Sequence, residues 1–368
     1  MSEETTLPPY DSILLVSFGG PEAREDVMPF LENVVRGKRV PKERLLEVAE
    51  HYQLFNGKSP LNDCNRALLE ALRVELDANE IELPLYWGNR NWHPLLADTL
   101  REMKAAGRKR TLAIVTSAYS SYSGCRQYRE NIEAARAEVG DGAPEVDKVR
   151  VFYDHPLFIE TMVERVQQAL AILPEGERES ARIAFTAHSI PVAMADHCKY
   201  AEQLEETCRL VAERLERSDW QLVYQSRSGP PSVPWLGPDV AEHARALSVI
   251  GVENLVVVPI GFVADHMEVV FDLDRELAEI CDEHDIQLVR ARTAGTHPKF
   301  IEMLRELVQE RLGLVDRRRS LSSGGPMPDV CAPDCCLYPI RRKGDSTEKT
   351  LTPDLLEGHD SVKDTLVE

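Results

Sequence analysis

"RIAFTAHSIP", residues 182–191, decides the fold once it is set beside "SILLVSFGGPE", residues 12–22. Each begins as a short run of strand-forming residues and stops in a loop of small or polar ones, and Pro191 cannot continue a ladder. A second pair repeats the theme: "AIVTSAYSSYSG" (113–124) and "VVVPIGFVADHM" (256–267) each run from strand to polar loop to helix. Echoes at matching places in the two halves predict two similar lobes with a cleft between them.

Working outward, the runs read as strands are 12–18, 83–88, 111–118, 148–154, 182–188, 221–226, 255–262 and 287–291, with longer helical patterns between them. Such alternation marks parallel α/β architecture. The expected fold class is therefore α/β, with two similar Rossmann-like lobes, each a four-stranded parallel sheet flanked by helices. The first lobe is expected over 1–154 and the second over 155–316, where "HPKFIEMLRELVQERLGL" supplies a last helix free to pack back on the first lobe. Residues 317–368 form a C-terminal extension that starts basic and Gly/Pro/Ser-rich, and from 341 onward it is polar enough to stay disordered. In open parallel sheets ligands bind beyond the carboxyl ends of the strands, so the loops there are the places to look for chemistry.

Forty-three Lys and Arg against 62 Asp and Glu give a net charge of −19, which argues against a nucleic-acid partner or an anionic lipid surface. The start, "MSEETTLPPYDS", lacks the basic and apolar regions of a signal peptide. No apolar stretch approaches the roughly 18 residues of a span, so no integral membrane segment is expected and the location is read as cytoplasmic. In a reducing compartment "VCAPDCCLYP" (330–339), with Cys331, Cys335 and Cys336, points to metal binding or redox chemistry rather than disulfides. No G-x-G-x-x-G follows a strand, and "NGKSP" (56–60) lacks the upstream glycine of a phosphate loop.

Three loops carry candidate chemistry. His188 ends the strand in "RIAFTAHSIP", where an imidazole can act as a base or a metal ligand, the plain alternative being a capped structural histidine. In "ADHMEVVFDLDRE" Glu268, Asp272 and Glu276 recur every four residues, so a helix would line them up on one face. Such a row costs stability unless a cation or a mobile proton sits among it, and a solvated acidic face is the competing reading. His266, just before them, is read as structural rather than ligating. The loop "YQSRSGPPSVPWLGPDV" (224–240) offers Arg227 and Trp235 on a proline-stiffened frame, suited to a flat ligand bearing carboxylates. Arg36, Lys38 and Arg39 in "VVRGKRVP" are a further set of cations for anionic substituents.

With those residues in view the sequence resembles the ferrochelatases, which insert ferrous iron into a porphyrin, over nearly all of residues 11–315. The resemblance rests on "HSIP", "YQSRSGPP…WLGPD", "GFVADHMEVVFDLD", "FNGKSPLN" and "SAYSSYSGCRQY", in that family's order and spacing. It implies a chelatase-like fold in which His188 and Glu268 face each other across the cleft as catalytic residues and hosts for the iron, with Asp272 and Glu276 leading protons or metal to the surface. It implies that Ser59 and Tyr122 line the porphyrin pocket beside Arg227 and Trp235. Phe18 stands where some bacterial relatives place a tyrosine that meets the metal, so that contact is lost here.

The resemblance also accounts for the late cysteines. Some ferrochelatases hold a [2Fe-2S] cluster on three cysteines of a C-terminal extension and one of the body, which implies Cys331, Cys335, Cys336 and Cys125 here. A C-x3-C-C spacing departs from other versions of that motif, and a structural zinc on the same thiols is the alternative. The combination resembles enzymes of actinobacteria whose substrate is coproporphyrin III, with protoporphyrin IX as the second possibility. The implied partners are the porphyrin, ferrous iron and a downstream haem-pathway enzyme that takes the product by transient hand-over. Two rival readings are a cobalt or nickel chelatase of a sirohydrochlorin-type ring and a non-enzymatic iron-sulfur or haem-binding module.

Overall fold

The computed structural model describes residues 9–37 and 40–339, so Lys38, Arg39 and the stretch expected to be disordered lie outside the described residues. The strands are β1 (Ser12–Ser17), β2 (Leu85–Asn89), β3 (Arg110–Val115), β4 (Glu145–Lys148), β5 (Arg182–His188), β6 (Trp220–Gln225), β7 (Asn254–Val258) and β8 (Gln287–Arg290). They form two four-stranded sheets, ordered β2-β1-β3-β4 and β6-β5-β7-β8, and every pairing is parallel. The same order twice is the structural form of the internal echo. Every residue of β1 and of β7 is buried, as expected where helices cover both faces of a parallel sheet.

In the first lobe the helices are α1 (Val27–Val34), α2 (Lys42–Leu54), α3 (Leu61–Ala78), α4 (Leu96–Ala105) and α5 (Gln127–Val139). After them come α6 (Pro156–Leu170), α7 (Val192–Ala195), α8 (Tyr200–Arg214), α9 (Val240–Val249), α10 (Met267–Phe271), α11 (Leu277–Glu283) and α12 (Pro298–Leu312). None is long and apolar enough to cross a membrane among the described residues. Helices α6 and α12 clasp each other through a repeated His-Pro start. His155 and His297 each accept from the amide two residues on, Leu157 and Lys299, at 3.3 Å. Their other ring nitrogens reach across, His155 Nε2 to Glu306 of α12 at 3.2 Å and His297 Nε2 to Glu164 of α6 at 3.0 Å. On its far side α12 is tied to α3 by Arg305 Nε and Glu75 at 2.7 Å.

The fourth strand departs from the expected 148–154. Only Lys148 of that stretch is in β4, and Val149 makes a last amide bond to the Ala113 carbonyl before the chain leaves the sheet. The β-like composition of residues 150–154 serves the junction instead. Arg150, whose side chain is fully buried, pairs with Glu310 at 2.8 and 2.9 Å, and Phe152 packs edge-on against Phe158 and Phe300. Phe152 is 1% exposed and belongs to an apolar cluster that runs through both sheets, from Ile13 and Leu112 to Phe185 and Val256. Truncating such a ring to Ala costs about 3–5 kcal/mol, so the lobes are held in fixed register.

The strand expected over 255–262 likewise stops at Val258, because Pro259 has no amide to donate. Among the described residues, 318–339 carry no helix or strand, yet they are pinned. Arg319 reaches Glu306 at 2.8 Å, Arg318 reaches Asp329 at 3.0 Å, and the Leu321 amide donates to the Asp154 carbonyl at 2.9 Å.

Candidate active site

Strand order turns round between β5 and β7, since β6 lies on one side of β5 while β7 and β8 lie on the other. Such a reversal leaves a crevice at the carboxyl ends of the two strands. His188 is the last residue of β5, and the loop after β7 delivers Glu268 in the first turn of α10. Their Nε2 and Oε2 stand 3.7 Å apart, with side chains 32% and 51% exposed, so the pair is open to the cleft.

The surroundings fix both groups. His188 Nδ1 contacts the Ser189 carbonyl, and its own carbonyl accepts from the Tyr200 hydroxyl at 3.1 Å. His266 caps α10, its Nδ1 accepting from the amides of Glu268 at 3.1 Å and Val269 at 3.3 Å. Burial lowers the His266 pKa, which suits a neutral ring acting as acceptor. Burial would lower His188 too, but the Glu268 carboxylate, the Ser189 carbonyl and the Asp272 charge outweigh it and lift His188 to about 9. Against the upward pull of burial, the imidazolium holds Glu268 down at about 2. At neutral pH the pair is therefore imidazolium and carboxylate.

Asp272 behaves in the opposite way. Burial, with the Glu268 and Glu276 charges, lifts it to about 7 although it accepts from the Gln225 amide at 3.1 Å and from the Ser226 hydroxyl. Glu276 is also raised, by burial and by Asp239 and Glu279. The expected straight row of carboxylates is bent, because residues Asp272–Glu276 form a π-helical turn between α10 and α11. Sequence spacing alone cannot reveal an inserted residue of this kind, and such turns often occur at functional sites.

The proline-rich loop folds back over the end of β5. The Leu236 amide donates to the Ile190 carbonyl and the Val192 amide to the Pro234 carbonyl, both at 3.0 Å. Trp235 lies so close under Gly229 that a Cβ there would sit 2.4 Å from the indole nitrogen. That nitrogen is buried with no hydrogen-bond partner among the described residues. Arg227 curls over its own loop toward the carbonyls of Pro230, Pro231 and Val233 at 3.3–3.4 Å.

In the first lobe Phe18 follows β1 and meets Phe30 edge-on at 6.2 Å. Ser59 is 2% exposed and packs beneath Gly20. Tyr122 gives its hydroxyl to Glu130 at 3.1 Å and its ring to Tyr338. Three residues not singled out in the sequence also attend the cleft. Arg90 lies 5.4 Å over the Phe18 ring and 4.5 Å over Tyr128, without a carboxylate partner among the described residues. Tyr52 of α2 feels the Glu268 charge, and its neighbour His51 stacks flat on Phe271 at 3.8 Å, so α2 reaches across to α10. Tyr52 begins "YQLFNGKSPLN", and reading that stretch as a wall of the cleft was the available signal.

The four cysteines implied as a cluster set converge. Cys125, on the π-helical turn Tyr122–Arg126, lines a cavity of about 140 Å³ together with Cys331, Cys335 and Cys336. Cys335 and Cys336 sulfurs are 3.4 Å apart. Lys148 Nζ is 3.2 Å from the Cys125 sulfur, and Cys331 and Lys148 together lower the Cys125 thiol. Arg126 and Arg129 donate to the Pro333 carbonyl at 2.6 and 3.2 Å, and Arg126 to that of Cys335 at 3.1 Å. As they stand, no three His, Cys, Asp or Glu side chains among the described residues are set to hold a single metal ion. The thiols ring a cavity rather than close on a point. Cys208 and Cys281 are core residues, and all eight cysteines are free.

Two like parallel sheets with a histidine and a carboxylate at the crevice of one define a two-lobed chelatase fold. SirB from Bacillus subtilis with Fe3+ shares it, with a TM-score of 0.51 at 14% identity, covering 84% of this chain and 99% of that one. The family is fixed by sequence, since the ferrochelatase family model matches residues 10–312. A ferrochelatase of Rhodopirellula baltica is 59% identical over 91% of this chain and 96% of its own length. The coproporphyrin III ferrochelatase of Streptomyces coelicolor is 48% identical over 89% of this chain and 93% of its own length. The chain belongs to the ferrochelatase family, whose members are metal-insertion enzymes.

Proposed function

We propose that the chain inserts ferrous iron into coproporphyrin III, with His188 and Glu268 as the catalytic pair. The observation that carries this is the ionised pair at the β5/β7 crevice with Asp272 poised near neutrality beside it. Insertion releases two pyrrole protons for each ferrous ion taken up. An imidazolium cannot accept a proton, so His188 has to lose its own first. A ferrous ion arriving at Glu268 cancels the negative charge that holds His188 protonated, and its proton then has Asp272 as a nearby acceptor. Once Asp272 has passed that proton on through Glu276 to solvent, the neutral imidazole takes the two pyrrole protons one after the other, handing the first to Asp272 before it accepts the second. Imidazole with carboxylate is a donor set suited to ferrous iron. Asp272 and Glu276 carry protons or metal toward the surface.

Coproporphyrin is favoured because relatives at 47–50% identity carry that substrate in their names, while the 59% relative is named only as a ferrochelatase. Its four carboxylates suit Arg227 and the Arg90 guanidinium, which has no carboxylate partner among the described residues, with Trp235, Phe18 and Tyr52 as flat or polar walls. Ser59 and Tyr122 line this pocket as well. The lobes are taken to meet at residues 154/155, and the protein to work in the cytoplasm and pass its product to a downstream haem-pathway enzyme.

The same reading gives Cys125, Cys331, Cys335 and Cys336 a [2Fe-2S] cluster. Four thiols around one cavity, with Lys148, Arg126 and Arg129 close by to offset thiolate charge, fit that group. When bound, such a cluster supplies one-electron chemistry. No cysteine stands at the His188 pair, so these residues hold the extension on the first lobe rather than act on the porphyrin.

The test is anaerobic turnover of the purified protein with ferrous iron, comparing coproporphyrin III and protoporphyrin IX by loss of porphyrin fluorescence, with the visible spectrum of the same sample recorded first. Faster loss with coproporphyrin and a charge-transfer spectrum are expected. Preference for protoporphyrin changes the substrate, colourless protein containing zinc replaces the cluster, and no insertion into either ring removes the function.

A further inference from the structure

Ser226 has a backbone that serine avoids. Its φ is +60°, in the left-handed region where glycine or asparagine is the easy choice, and it follows the last residue of β6 at the corner where the chain turns into the proline-rich loop. From that corner its hydroxyl donates to Asp272 Oδ2, and Gln225, the residue before it, donates to the same oxygen at 3.1 Å. Gln225 also donates to the Glu268 carbonyl at 3.1 Å, while its own carbonyl accepts from the Ser189 amide at 2.8 Å. One corner is thus wired to the residue after His188, to the backbone of Glu268 and to the Asp272 carboxylate.

We propose that Ser226 is a positioning residue for metal uptake, holding Asp272 by one oxygen so that Oδ1 is presented to an incoming ferrous ion. This rests on the ferrochelatase reading of the cleft. Both bonds end on Oδ2, so Oδ1 is the oxygen left for a cation. Glycine would take this backbone without strain, and the hydroxyl is what serine adds. The loop "YQSRSGPPSVPWLGPDV" therefore acts on the iron side of the reaction through Gln225 and Ser226, and on the ring side through Trp235.

Ser226→Gly separates the roles, because it deletes the hydroxyl while relieving the backbone. The expected result is a KM for ferrous iron raised about tenfold, the worth of one hydrogen bond to a charged group, with the KM for coproporphyrin unchanged and a Tm equal to or above wild type. Ser226→Asn, which tolerates the left-handed backbone and brings back a donor, should recover much of the iron KM. Wild-type turnover with an iron KM in Ser226→Gly equal to wild type overturns the inference alone. So does an equal rise in both KM values, which would show a disordered loop. A wild-type protein without turnover on either porphyrin overturns the function and the inference with it.

Discussion

At the carboxyl end of β5 the chain sets His188, with Glu268 and Asp272 arriving from the neighbouring loop. At the same end of β1 it sets Phe18, Gly19 and Gly20, with the amides of Asn62 and Asn89 behind them. The two sheets have one strand order, and the two ends have opposite furnishing. One is built of groups that change charge, and the other of close contacts that hold shape. A duplicated fold leaves the second copy of each strand end free to specialise, and chemistry follows the residues placed at the end rather than the fold that carries them.

The sharpest way to break this contrast is to remove the charge-changing end. His188→Ala should lower kcat for iron insertion by about a thousandfold, within the range for loss of a general base, while near-wild-type unfolding shows that the fold survives. A side chain about a third exposed at a strand end is not a core residue, so the loss would be one of chemistry. Turnover within tenfold of wild type would mean that the two ends differ in appearance only.

The opposite end is tested through stability. A Cβ on Gly20 would stand 2.7 Å from the Ser59 Cβ, and Gly19 has φ +82° with Asn89 Cβ 2.8 Å from where its own Cβ would be. Gly20→Ala should therefore cost about 1–3 kcal/mol in denaturant unfolding, the usual penalty of overpacking. Ser59→Gly in the same chain should recover most of it, because it removes the atoms in the way. Additive losses would show that the two sites do not touch.

How much of this was legible depended on range. Strand runs, their alternation with helices and the halves' echo are local patterns, and they gave eight strands in two sheets with β5 ending at His188 as expected. The stretch 150–154 misled because Val151, Phe152 and Tyr153 are bulky for the sake of the interlobe core, a contact with residues such as Phe300 far along the chain. His188 and Glu268 could be found from their loops and Tyr52 from "YQLFNGKSPLN", whereas Arg90 could not, since what marks it is proximity to Phe18 and Tyr128 in space. The π-helical turn after Asp272 is invisible for the same reason, as no residue type announces it.

The smallest effect concerns pH, and its sign can be worked out. His188 is raised from 6.5 to about 9, so what its pairing adds to stability is complete below 6.5 and is lost as pH rises through 9. Glu268 is lowered from 4.5 to about 2, so its share is complete above 4.5 and is lost as pH falls through 2. Asp272, raised from 3.8 to about 7, stabilises the fold as an acid below 3.8 and loses that share as pH rises through 7. The windows separate, and above pH 8 His188 is the member of the trio still titrating. Between pH 8 and 10 the wild type should lose more unfolding free energy than His188→Gln, by no more than about 1 kcal/mol because the pair is open to solvent and screened. Parallel curves for the two proteins over that window would place the His188 proton at an ordinary affinity. The iron would then meet a neutral imidazole, and no displacement of its proton by the metal would be needed.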